Sequence, residues 1–204
     1  VPSWNLTTVT PATEYPVSLE NIKAHLRIDH DDEDGLLAEY IKAATQQCER
    51  LIPGWRTFVA TTYRLDLDRF PPGIQPLELP RPPLSSITTV AYADIDNASQ
   101  TLVEDTDFTT HTSTEQPGYL VPILDSWPET YIETSGVRMQ NAVRITFVAG
   151  YASVALVPAS IKHAIRLLVA QNYENREAII TGTIVAEVPM AVKSLLGAND
   201  YGFV

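Results

Sequence analysis

The sequence predicts an α+β protein: a helical bundle from its N- and C-terminal helices, with an inserted, mainly antiparallel β region. Three observations predict it. Apolar residues recur at three- and four-residue steps from Leu36 to Ile52. The period falls to two at Tyr63–Asp68 and again at Val143–Phe147. It returns to 3.6 after Pro158. A helix repeats a face every 3.6 residues and a strand every two, so the changes of period mark changes of element.

Residues 1–17 carry three prolines and little periodicity, and read as an extended N-terminal arm. Ser18 suits the N-cap of a short helix with Leu19, Ile22 and Leu26 at helical spacing. The strongest amphipathic helix follows, through Leu36, Leu37, Tyr40, Ile41, Ala44, Cys48, Leu51 and Ile52, and Pro53-Gly54 stops it. Next, Tyr63, Leu65 and Leu67 alternate with Arg64, Asp66 and Asp68, the pattern of a strand with one wet face. "FPPGIQPLELPRPPL" must run at an edge or as a loop, because proline donates nothing to a central ladder. "SSITTVAYAD", "QTLVED", "DFTTH", "GYLVPI" and "AVRITFVAGY" are further strand candidates. No helical crossover links them, so they should pair antiparallel. After Pro158, Ile161, Ala164, Ile165, Leu168, Val169 and Asn172 form one helical stripe. Val192, Leu195 and Leu196 mark a last helix, with Pro189 suited to its first turn. The expected domains are therefore an arm at 1–17, a helical core from 18–54 and 158–197, an inserted β region at 55–157, and a tail at 198–204.

Bulk properties exclude several classes. A chain of 204 residues buries roughly 70% of its unfolded surface and needs no staples. No apolar run approaches the roughly 18 residues of a membrane span, and no signal peptide is expected. The single Cys48 cannot form an internal disulfide and falls on an apolar helix face, which suits a reducing compartment. The glycosylation triplets at Asn5 and Asn97 then carry no meaning. A net charge of −11 argues against holding DNA through its phosphates.

"RIDHDDEDG", Arg27 to Gly35, packs five carboxylates into nine residues and is the sharpest candidate for chemistry. A calcium-binding EF-hand loop needs glycine at position six and glutamate at twelve. Starting at Asp29 those positions hold Asp34 and Tyr40; starting at His30 the twelfth is Ile41. Both registers fail. A metal-dependent hydrolase would also need carboxylates from distant segments, such as Asp66, Asp68, Asp105 or Asp107, and nothing marks them. A helix start explains the run better: Asp29 or Asp31 caps the long helix, and the other acids sit where the N-terminal dipole favours negative charge. His25, His30, His111 and His163 are scattered and make no zinc motif. There is no phosphate-binding loop, dinucleotide fingerprint or nucleophile elbow. No catalytic, metal or cofactor-binding residue is assigned, and no cofactor is expected. Trp4, Trp55 and Trp127 are isolated and suit core or interface packing.

Protein contacts are the remaining candidates. "NYENREA", from Asn172, ends a helix with mixed charge, either as a solvated end with local pairing around Glu174 and Arg176 or as a contact surface that includes Tyr173. The terminal segments carry Trp4, Tyr15, Tyr201 and Phe203 without a period that would bury them, as in segments that order on binding.

"SLENIKAHLRIDHDDEDGLLAEYIKAATQQCE" resembles the opening of the head–tail connector (adaptor) proteins of tailed bacteriophages. "LPRPPLSSITTVAYAD", "VRITFVAGY", "VPASIKHAIRLLVAQNYENREA" and "VPMAVKSLL" continue that pattern in order, from Pro16 to Leu196. The terminal "GANDYGFV" departs from the basic or proline-containing end expected of the family. Gene transfer agents, phage-like particles that package host DNA, use similar neck proteins. The resemblance implies a non-enzymatic part, made in the bacterial cytoplasm and placed in the particle neck. It implies a homo-oligomeric ring, a dodecamer matched to the portal protein ring. A downstream neck or tail protein is the other partner, and DNA passes through the channel without specific binding. A tail-side completion protein of similar fold is the alternative.

Overall fold

The structure, a computed structural model, describes residues 4–52, 54–114, 116–131, 141–176 and 189–197. They form four α-helices and eight strands, the α+β class expected, and divide into two compact units. Residues 1–12 and 60–151 make the β unit; residues 13–59 and 152–204 make the helical unit. The first boundary differs from the sequence expectation, because the stretch read as an arm contains a strand.

That strand, β1 (Trp4–Thr10), pairs antiparallel with β2 (Thr61–Leu67). Its ladder partners lie far along the chain, from Thr10↔Thr62 to Trp4↔Leu67, which explains why no local signal announced it. β2 continues onto β8 (Val143–Ala149), β8 onto β4 (Leu84–Ala93), and β4 onto β5 (Ser99–Leu102), all antiparallel, giving the order β1-β2-β8-β4-β5. A second sheet has the order β3-β7-β6, from Leu77–Glu78, Tyr119–Pro122 and Phe108–His111. The prolines of the punctuated stretch lie outside the strands, which enter it only at β3 and at Leu84, the first residue of β4, and the bond between Pro82 and Pro83 is cis.

The inward alternation builds one core from Tyr63, Leu65, Val90, Val143, Ile145 and Phe147, joined by Phe108 and Leu120 of the smaller sheet. Fully burying each such side chain contributes roughly 1.5–3 kcal/mol. Trp127 joins it, stacked on Phe70 with centroids 4.9 Å apart, while its Nε1 donates to the Gln75 carbonyl at 2.9 Å. The other face of β2 is not uniformly wet: Asp66 is 2% exposed. Arg64 on its own strand and Arg144 on β8 both donate to it through Nε, at 3.0 and 3.4 Å. A buried carboxylate requires such pairing, and the partner on β8 lies outside any local pattern.

The helical unit contains α1 (Leu19–Leu26), α2 (Asp34–Leu51), α3 (Ala159–Glu174) and α4 (Met190–Gly197). Ser18 caps α1 as expected, its Oγ accepting from the Asn21 amide at 3.3 Å. Arg27, at φ 59°, turns the chain out of α1. Most of the predicted stripe is buried: Leu37, Ile41, Ala44 and Cys48 on α2, then Ile161, Ala164, Ile165, Leu168 and Val169 on α3, with Val192 and Leu196 on α4, whereas Leu36, Tyr40, Asn172 and Leu195 are half-buried and Leu51 is exposed. α2 packs on α3 and α3 on α4, so segments distant in sequence share one apolar seam. Burial pushes the Cys48 thiol up to about 12, which leaves it an inert packing residue.

Candidate assembly surface

The acidic run sits between α1 and α2, and neither expected cap operates there. The residue before α2 is Glu33, and it makes no side-chain capping bond. Asp31 is drawn instead to Lys23 on α1, which also donates to Asp34 at 2.8 Å. One lysine thus clamps both ends of the connection between α1 and α2. Its hydrogen bond to Asp31, then that to Asp34, raises the Lys23 pKa above the ordinary value, and the same bond lowers that of Asp31. Asp32 is exposed. Cap geometry failed here because an ion pair 8 residues away outbid a local amide.

Glu33 has a different role. Tyr173 donates its hydroxyl to Oε2 at 2.5 Å, and Arg176 donates from Nη2 to Oε1 at 2.5 Å. The Arg176 guanidinium also lies over the Tyr173 ring, 4.8 Å from its centroid. Tyr173, then Arg176, holds the Glu33 carboxyl below its usual range, and the Glu33 bond in turn raises the Tyr173 phenol. Two of the contact candidates therefore tie the end of α3 to the start of α2. The local pairing expected around Glu174 is replaced for Arg176 by this bond across 143 residues, and Glu174 stays exposed. Nothing in the sequence pairs Glu33 with "NYENREA"; only the packing of α2 on α3 does.

Tyr15 is 38% exposed and borders an open groove of about 480 Å³ in the helical unit, with Val17, Leu19, Ile41, Lys162 and Arg166 among its walls. Trp4 is 59% exposed at the start of β1. Trp55 is exposed beside Arg50, whose guanidinium lies 5.9 Å from its ring centroid. Tyr201 and Phe203 lie outside the described residues. Among the described residues, no group of three or more His, Cys, Asp or Glu is placed to hold a metal ion, and no helix is long and apolar enough to cross a membrane.

Among the described residues, the candidates are individual aromatic and charged contacts rather than a convergent set of reactive groups. Comparison with known proteins bears on what such contacts do. A family model described as phage gp6-like head-tail connector protein matches residues 16–101 and 125–198. No curated protein matches the chain. Among solved structures, a chain from the neck of an empty gene transfer agent particle, computed with C6 symmetry, superposes with a TM-score of 0.76 at 22% identity, covering 98% of this chain and 97% of that one. A chain from the virion of a native gene transfer agent particle gives 0.75 at 23% identity, over 98% and 96%. One from a native particle neck with C12 symmetry gives 0.69 at 22%, over 99% and 97%. At these identities the likeness is one of fold.

Proposed function

The chain belongs to the phage gp6-like head-tail connector family, and on that premise we propose that it is a non-enzymatic subunit of a particle neck. Copies of it form a dodecameric ring beneath the portal, extend the DNA channel toward the tail and receive the next neck or tail protein. The particle is a phage or a gene transfer agent. The observation that carries this reading is the family match on both sides of residues 102–124, which draws on the β unit and the helical unit alike. Charge supports it. At −11 per copy, a ring repels polyanions and lets DNA slide past without sticking.

The same charge opposes assembly. Salt screens that charge: the screening length falls from about 30 Å at 0.01 M salt to about 8 Å at 0.15 M. Isolated copies are therefore expected to stay mostly monomeric at low salt, with rings favoured by salt and by the portal as template.

The test is to produce particles without the chain. DNA-filled heads and separate tails should accumulate, and added chain should bind the portal-bearing heads and restore joining. Complete particles in its absence would remove the role. Chain recovered on free tails and never on heads would replace the portal-side position with tail-side completion.

A further inference from the structure

The five-stranded sheet of the β unit ends in β1 on one side and β5 on the other, and among the described residues each is paired along one edge only. An exposed edge is a template for another strand, and proteins usually guard it with lysine, proline or a bulge. These two are poorly guarded. β1 carries no charge, and the first charged residue of the chain is Glu14. β5, Ser99–Leu102, carries none either. The one irregularity in β1 lies after Thr8 and leaves Trp4–Thr8 in regular register. Large apolar side chains stand exposed beside both edges: Trp4 and Val9 at 59% and 51%, Ile95 and Val103 at 63% and 57%.

The geometry of the two edges matches. Every pair in the sheet is antiparallel, so an odd number of strands leaves β1 and β5 running in the same direction. The rows also line up. Asn5, Asp66, Arg144, Ala91 and Thr101 cross the sheet in one row, and Leu6, Leu65, Ile145, Val90 and Leu102 in the next. A second copy stepped sideways by one sheet width would meet the first with inner face beside inner face. A one-residue slip would reverse every side chain, so the pleat itself selects the register.

Charge favours unlike edges. Asp94, Asp96, Glu104, Asp105 and Asp107 gather beside β5. Toward β1, Arg64 and Arg144 share the single carboxylate of Asp66 through their Nε atoms, which leaves one positive charge over. Their terminal nitrogens bond to no described residue. Bringing β5 to β5 would set acids against acids; bringing β1 to β5 sets acids near arginines.

We propose that β1 of one copy adds in parallel to β5 of the next, so that the sheets of successive copies join edge to edge around the ring. The contact is head-to-tail, the type that closes into rings. It rests on the ring reading given above and names the surface that reading lacks. Four or five rows bury less than the roughly 1,200 Å² of an independently stable interface, which suits copies that assemble on a template.

Cysteines introduced singly on the two edges test it in assembled particles, since native Cys48 is buried. Asn5→Cys and Thr101→Cys occupy one row; Thr7→Cys and Ser99→Cys keep the same face two residues away and allow for stagger. Co-expressed β1 and β5 variants should give disulfide-linked dimers under mild oxidation, and neither should do so alone. A chain carrying one cysteine on each edge should give a ladder of multimers. Homodimers from a single-edge variant would overturn the proposal in favour of a twofold contact. Absence of cross-links at all four positions, in particles whose necks contain the chain, would overturn it while leaving the connector reading intact. Particles that never contain the unsubstituted chain would instead defeat the connector reading.

Discussion

Among the described residues, the β unit holds one deeply buried carboxylate between strands, whereas the helical unit spreads its carboxylates over the surface as ties between helices. Asp66 reaches 2% exposure because Arg64 and Arg144 neutralise it within the sheet, above a core that includes Phe147 and the Phe70–Trp127 stack. Glu33, Asp31 and Asp34 are wetter, and each joins one helix to another segment through Tyr173 and Arg176 or through Lys23. The difference teaches where each unit is vulnerable. Lost volume or a lost buried charge should damage the sheet most, and the exposed ties of the helices should matter less.

The largest effect should come from Phe147→Ala. Phe147 is fully buried at the centre of the β core, and removing a ring from such a site costs about 3–5 kcal/mol. Chemical denaturation should show a midpoint shift of that size; a change under 1 kcal/mol, by the same scale, would mean that the sheet core is loosely packed and that the contrast fails.

Ser18→Ala should cost less, about 1 kcal/mol, because it removes one capping acceptor from the Asn21 amide. The loss should appear in amide exchange at the start of α1, with the strands of the β unit unchanged. Equal loosening of strand amides would show that the units do not respond separately.

The smallest effect concerns pH. A carboxyl held low in the folded state stabilises it fully above the unfolded value of 4.5 and loses that contribution as pH falls through the lower folded value. Acid should therefore loosen the α2–α3 tie below pH 4.5, and Glu33→Gln should flatten that part of the titration. Asp32→Asn should do little, since the Asp32 side chain is 93% exposed and, among the described residues, pairs with His30 at 3.8 Å. An unchanged acid limb in Glu33→Gln would remove Glu33 as the sensitive group. Helical circular dichroism against pH reads both variants.

Periodicity alone determined much of this protein. The α2 and α3 stripes, the alternation of β2 and β8, and the cap at Ser18 are local patterns, and a local pattern is enough to choose helix or strand and the face that turns inward. The order of those segments was enough to place the chain near its family. The sequence could not show that Trp4–Thr10 is an edge strand, that Asp66 is buried, or that Asp31 serves Lys23 rather than a helix amide. It could not show that Glu33 meets Tyr173 and Arg176, so that two residues chosen as contact candidates also tie the end of α3 to the start of α2. Each of these depends on at least one partner between 8 and 143 residues away. Such partners are chosen by which faces pack together, and that choice is made by burying the whole set of apolar faces at once, not by any one segment.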